Sequence, residues 1–172
     1  MEFKTKRLQI RELNPKDAMD LHRFSSLPNA LPYEAWGPFS LEEAQAYIAN
    51  ASAEAEKTPR INFLFGISKQ KSPVLVGLCS LEVADGKQRG AKIGYSIHPN
   101  HRKRGLASEA ALGLIDFAKS NLKVRHFYTS CDSENKPSLR VLEKCGFTEI
   151  GMNAELEQVK GRFRDMLLFE MG

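Results

Sequence analysis

The chain has 172 residues, enough for one domain with a sizeable buried core. Hydrophobic residues make up 42% and charged residues 27%, the mix of an ordinary water-soluble fold, with no repeat and no low-complexity tract. The formal net charge is +4, from 25 Lys and Arg against 21 Asp and Glu. That suits an anionic ligand and is too small to argue for nucleic acid.

Three cysteines, Cys79, Cys131 and Cys145, lie far apart and form no C-x-x-C pair. An odd, scattered set excludes a disulfide framework or a zinc site and predicts reduced thiols, with no bound metal. The start, Met1 to Arg7, carries no apolar signal run, and no apolar stretch approaches a membrane span. The expectation is one cytoplasmic domain over 1–172, with no membrane and no nucleic-acid partner.

In chain order, Arg7 to Leu13 alternates apolar Leu8 and Ile10 with polar neighbours and predicts a strand. Asn14-Pro15 supplies an N-cap and a first-turn proline for a helix through Leu21 and Phe24. Pro28 and Pro32 open a loop holding Tyr33, Trp36 and Phe39, which either line a substrate pocket or cover the edge of the core. Ser40 and Glu43 form a capping box for a helix running to about Glu56.

A meander of three strands follows. Arg60 to Ser68 places Ile61, Phe63, Phe65 and Ile67 on one face. Val74 to Val83 sends Val76 and Leu78 one way, and Leu75, Cys79, Leu81 and Val83 the other. After a turn at Asp85-Gly86, Arg89 to His98 alternates through Ala91, Ile93, Tyr95 and Ile97. A helix over about Arg104–Ser120 carries Leu106, Ala110, Leu114 and Phe117 on one stripe. Arg125 to Asp132 is a strand. A short helix turns Leu139, Leu142 and Cys145 inward and stops at Gly146. Phe147 to Met152, a polar hairpin over Asn153–Gly161, and Arg164 to Met171 close the chain. The order β-α-α-β-β-β-α-β-α-β-β gives an α+β fold: a mixed, mostly antiparallel sheet of about seven strands with four helices.

One stretch carries the chemistry. The strand Ile93 to Ile97 stops at His98-Pro99, since proline has no N–H to give a ladder. A basic turn, Arg102-Lys103-Arg104-Gly105, then hands over to a helix N-terminus. Free backbone N–H groups and the helix dipole make that corner an anion site, and three cations beside it point to phosphate. Neither the Walker A spacing nor G-x-G-x-x-G is present.

The pattern R-x-x-G-x-A, Arg102 to Ala107, resembles the acetyl-CoA pyrophosphate loop of the GNAT superfamily of N-acetyltransferases. The segment Glu134-Asn135 through Ser138, Leu142 and Gly146-Phe147 resembles the E-N-x-x-S-x-x-x-L-x-K-x-G-F segment of the branch that includes the ribosomal-protein N-terminal acetyltransferases. Trp36-Gly-Pro-Phe before a capped helix, and the ending Lys160 to Asp165, fit the same branch. The element order matches over nearly the whole chain.

The resemblance implies transfer of acetyl from acetyl-CoA, a cosubstrate, to a primary amine in a ternary complex without a covalent intermediate. The acceptor is a protein N-terminal amine or a small amine. Main-chain groups around Ile97 and His98 would hold the pantetheine arm. The N–H groups of Arg102, Lys103, Arg104, Gly105, Leu106, Ala107 and Ser108 would hold the pyrophosphate, with Gly105 admitting close approach. Asn135 and Ser138, one helical face apart by i+3, would reach the same ligand, or else merely cap their helix. Ser138 would donate toward the leaving thiolate, directly or through water. The amine needs a base: Glu82, otherwise a solvated strand end, or His98, otherwise a main-chain contributor. Cys131 with His126 or His98 reads as a nucleophile or, with no telling spacing, as a buried thiol. The competing readings are a non-catalytic acyl-CoA-binding or sensing module and a nucleic-acid binder using the basic turn. The resemblance allows a monomer or a homodimer.

Overall fold

The computed structural model of the protein describes residues 1–84 and 90–172, apart from the side chains of 155–159. The predicted Asp85-Gly86 turn and the first residue of the third meander strand lie outside the described residues. Eight strands and four α-helices are present among those described. The strands are β1 (Glu2–Lys4), β2 (Leu8–Glu12), β3 (Asn62–Lys69), β4 (Leu75–Val83), β5 (Gly90–Ile97), β6 (His126–Asp132), β7 (Thr148–Val159) and β8 (Arg162–Met171). The helices are α1 (Ala18–Ser25), α2 (Leu41–Ala55), α3 (Leu106–Asn121) and α4 (Lys136–Cys145). The strands form one sheet in the order β1-β2-β3-β4-β5-β6-β8-β7. Every pairing is antiparallel except β5 with β6, which α3 joins as a crossover.

Each face of the sheet is covered by its own helices. Ala110, Leu114 and Phe117 of α3 and Leu142 of α4 pack with Phe65, Cys79, Ile93 and Phe127 in one apolar cluster. On the other face, Leu21 and Phe24 of α1 and Ala44 and Ile48 of α2 pack with Leu13, Leu75 and Leu78. The capping box holds: Glu43 N–H donates to Ser40 Oγ at 3.1 Å, and Ser40 N–H to the Glu43 carboxylate at 2.7 Å.

The structure departs from the sequence expectation in five places. β1 was not expected, because three residues are too few to show alternation; it pairs Phe3 with Ile10. Asn14 caps a single 3₁₀ turn, Pro15–Asp17, and α1 begins only after it. Ile61 precedes β3 and is 38% exposed, so it is not on the buried face. In β4 the register slips: Ile67 faces Gly77 while Ser68 faces Leu75, leaving Val76 as a bulge. The extra residue reverses the alternation, so Leu75 joins Leu78, while Val76 joins Cys79 and Leu81. The polar hairpin is almost wholly strand, turning at Lys160 and Gly161 with φ of 51° and 79°.

Candidate active site

The parallel ladder between β5 and β6 ends at Lys92 opposite Tyr128, and the two strands then part. Ala84 N–H donates to Gly90 O at 2.8 Å and His98 N–H to Val76 O at 2.9 Å, so even-numbered residues of β5 spend their backbone groups on β4. The odd-numbered residues turn theirs toward the opening. There the Ile93 carbonyl accepts from Thr129 Oγ1 at 2.9 Å, and the Ile97 carbonyl from Arg102 Nε at 2.8 Å. Beyond Lys92 the ladder to β6 has ended, so Tyr95 and Ile97 have no ladder partner on that side. A gap edged by strand backbone without a ladder partner fits a chain that carries amides of its own.

The basic turn lies where this edge runs out. His98 opens a 3₁₀ turn, Pro99–His101, and its Nδ1 accepts the Asn100 N–H at 3.1 Å. Its carbonyl takes the His101 N–H at 2.8 Å, and its ring stacks on Phe24 with centroids 5.5 Å apart. The His98 N–H, C=O and ring are thus all engaged within the protein, whereas Tyr95 lies on the stretch of β5 past the end of the β6 ladder. Burial and then the nearby Arg102 charge lower the His98 pKa, so the ring is neutral near neutral pH.

Arg102 also departs from expectation. Its guanidinium is turned inward, onto the carbonyls of Ile97, Asn29 and Ala30, and ties the loop after α1 to the end of β5. The exposed cations at the corner are Lys103 and Arg104. Gly105 caps α3 with φ +73°, and an added Cβ there would meet nothing closer than an Arg7 nitrogen at 3.5 Å. The glycine is needed for its left-handed backbone, and there is no internal clash for it to avoid. Leu106, Ala107 and Ser108 then present first-turn N–H groups without intrahelical acceptors. The Leu106 side chain is buried, so this residue can offer a ligand only its backbone. Glu109 braces the corner by accepting from Arg7 N–H at 2.7 Å, Arg7 Nε at 2.6 Å and Thr5 Oγ1 at 2.5 Å.

On the α4 side of the gap, Asn135 Oδ1 accepts the Ser138 N–H at 3.2 Å, so Asn135 does cap its helix. Its amide nitrogen has no partner among the described residues and remains open to a ligand. Ser138 Oγ lies 3.0 Å from the Tyr95 hydroxyl. Burial raises the pKa of the Cys131 thiol, against a hydrogen bond from Ser138, and raises Cys145 to about 11. Both stay protonated thiols, which suits packing better than attack. The sequence reading did not single out Tyr95 as a partner of Ser138. Its odd-numbered place beside Ile93 and Ile97 was the available signal, because a phenol on a buried face needs a partner.

The other face of the sheet is different in character. A cavity of about 470 Å³ lies between α2 and strands β3 to β5, lined by Tyr47, Asn50, Glu54, Ser80, Glu82, Lys92 and Gly94 among others. Glu82 stands in a cross-strand row with Asn62 and Lys92, at the closed end of the gap. Ser138 and Glu82 are therefore on opposite faces and are not brought together. Nearer the mouth, Glu34 accepts from Ser96 Oγ at 2.8 Å. No local pattern marked Glu34. Its loop spans the mouth: Tyr33 Oη donates to Glu134 O at 3.2 Å, while Trp36 stacks on Tyr47 and Phe39 packs tilted against it over the core. The loop aromatics thus divide, with Tyr33 at the gap and the other two in packing.

A sheet opened beside its one parallel pair, with a helix N-terminus at the end of the opening, is the arrangement of an acyltransferase fold. Residues 7–148 match the family model described as an acetyltransferase (GNAT) domain, and the chain belongs to that family. It is 31% identical over 152 residues to the N-acetyltransferase YnaD of Bacillus subtilis, covering 88% of this chain and 85% of that protein. It is 29% identical to the N-acetyltransferase p20 of Bacillus licheniformis, covering 97% and 93%. The fold is shared with RimL, a ribosomal L7/L12 alpha-N-protein acetyltransferase solved with coenzyme A (TM-score 0.86, 18% identity, covering 99% of this chain and 97% of that one). It is shared too with a Vibrio cholerae spermidine N-acetyltransferase solved with CoA and spermine (TM-score 0.80, 22% identity, covering 95% and 94%). The chain is an N-acetyltransferase.

Proposed function

We propose that this enzyme moves acetyl from acetyl-CoA to a primary amine by direct attack in a ternary complex. The observation that carries the reading is the pairing of two features: the edge of β5 left without a strand partner beyond Lys92, and the free N–H groups at the N-terminus of α3 where that edge runs out. The amide-bearing pantetheine arm fits the edge of β5, and the N–H groups of Lys103 to Ser108 fit the pyrophosphate. Lys103 and Arg104 add charge at the corner, and Arg102 shapes it without facing a phosphate. The Asn135 amide reaches the arm from α4. Ser138 stands on the sulfur side.

The acceptor enters from the α1–α2 face. Glu34, Glu54 and Glu82 make that face attractive to a cationic amine. Glu82, or Glu34 nearer the mouth, takes the proton that must leave before nitrogen can attack. Relatives of this fold act on a ribosomal-protein α-amine and on spermidine, so both a protein N-terminus and a small amine belong in the assay.

The test is a calorimetric titration with acetyl-CoA beside desulfo-CoA and ATP, followed by an amine panel read by thiol release. Micromolar acetyl-CoA binding with amine-dependent thiol release is expected. Absence of acetyl-CoA binding would overturn the reading, and binding without release on any amine would favour a sensing module.

A further inference from the structure

Tyr95 crosses from β5 to α4 beneath the gap. Its hydroxyl lies 3.0 Å from Ser138 Oγ and 3.3 Å from the Ser138 carbonyl oxygen. Its own backbone belongs to the stretch of β5 past the end of the β6 ladder. Ser138 Oγ in turn meets Tyr95 of β5, so α4 and β5 are joined at the gap. Burial holds the phenol proton firmly on Tyr95. Near neutral pH the group acts only through hydrogen bonds.

The two hydroxyls have two hydrogens between them and can share them in two ways. In the first, Tyr95 donates to the Ser138 carbonyl and Ser138 donates back to Tyr95 Oη; the pair satisfies itself. In the second, reached by rotating two C–O bonds, Tyr95 donates to Ser138 Oγ. The Ser138 hydrogen is then free to point at an anion in the gap. Each hydroxyl has the lone pairs for either role. Only the second arrangement meets a developing negative charge.

We propose that Tyr95 is a positioning residue for acyl transfer, turning the Ser138 hydroxyl toward the departing sulfur. This rests on the acetyl-CoA reading above. In the reaction the amine nitrogen forms a bond to the acetyl carbon, the C–S bond breaks, and its electron pair stays on sulfur. The proton lost by nitrogen goes to the acceptor-side base and on to water. Ser138 keeps its proton and stabilises the thiolate by donating a hydrogen bond, because a serine hydroxyl is a far weaker acid than a thiol. A charge-assisted bond of this kind is strong when water is excluded.

The experiment titrates the thiol of bound CoA by thiolate absorbance, with the desulfo-CoA complex as baseline to cancel the protein's own cysteines. In the wild type the bound thiol is expected to be more acidic than free CoA by roughly tenfold in its dissociation constant, the scale of one hydrogen bond to a charge. Ser138→Ala should abolish the gain. Tyr95→Phe should lose most of it, with desulfo-CoA affinity and melting temperature close to wild type, since the ring is kept. The double variant should match Ser138→Ala alone, because the two groups act as one unit. A full acidity gain in Tyr95→Phe, or losses that multiply in the double variant, would overturn the proposal while leaving cofactor binding intact. Failure of the wild type to bind CoA would overturn both this proposal and the reading beneath it.

Discussion

Arg102 donates through Nε to the carbonyl oxygen of Ile97 at 2.8 Å, five residues back along the chain. Its remaining nitrogens hold Asn29 and Ala30, more than seventy residues away. The first cation of the phosphate-loop pattern is thus a structural clamp. Arg102→Ala should lower stability by about 2–4 kcal/mol, as charged hydrogen bonds to part-buried carbonyls are lost. The salt dependence of CoA binding should stay as in the wild type. Lys103→Gln and Arg104→Gln should do the reverse, each weakening CoA several-fold and flattening the salt dependence with little change in stability. Urea denaturation and calorimetry at two salt concentrations check both halves; equal salt effects from all three variants would count against the assignment.

Gly105 carries the second prediction. Its φ of +73° costs a side-chain-bearing residue about 1–2 kcal/mol, and no protein atom crowds the position. Gly105→Ala should therefore fold, with a stability loss of about that size. CoA affinity should fall at least tenfold if the pyrophosphate meets the backbone at this turn as proposed, because the added methyl group would occupy that space. Stability lost without any loss of affinity would place the ligand away from this turn.

The third prediction concerns pH. Burial, and then the Arg102 charge, hold the His98 pKa below its ordinary value; burial, Lys69, His98 and Arg104 do the same for His101. Between those lowered values and about 6.5, the unfolded chain binds protons that the folded chain refuses. The histidines' contribution is therefore intact above about pH 6.5 and is lost as pH falls from there through the lowered pKa values. His98→Asn, which keeps an acceptor for the Asn100 N–H, should shrink the drop in stability between pH 7.5 and 5.5. Urea titrations at the two pH values measure it, and an undiminished drop would remove His98 from the account.

The elements were legible wherever the signal was local. Ser40 and Glu43 announce a helix start because both partners lie within one turn. Gly146 ends α4 with φ +87°, as a helix-stopping glycine should. β1 and the outer part of β7, from Asn153 to Val159, were not legible. A three-residue strand has no period, and a polar edge strand need not alternate. The β4 bulge was hidden for a related reason: an extra residue on one strand is defined only by its partner's register.

The sequence by itself determined the element types and the location of the anion corner, Arg102 to Ala107, because caps, turns and glycines act over a few residues. Tertiary structure alone decided which groups come together at the gap. Arg102 turns inward, His98 divides its groups among β4, its own turn and α1, and Glu82 and Ser138 fall on opposite faces of the sheet. Tyr95 meets Ser138 across 43 positions of chain. Such pairings depend on strand register and on how helices dock, and no short-range pattern encodes either.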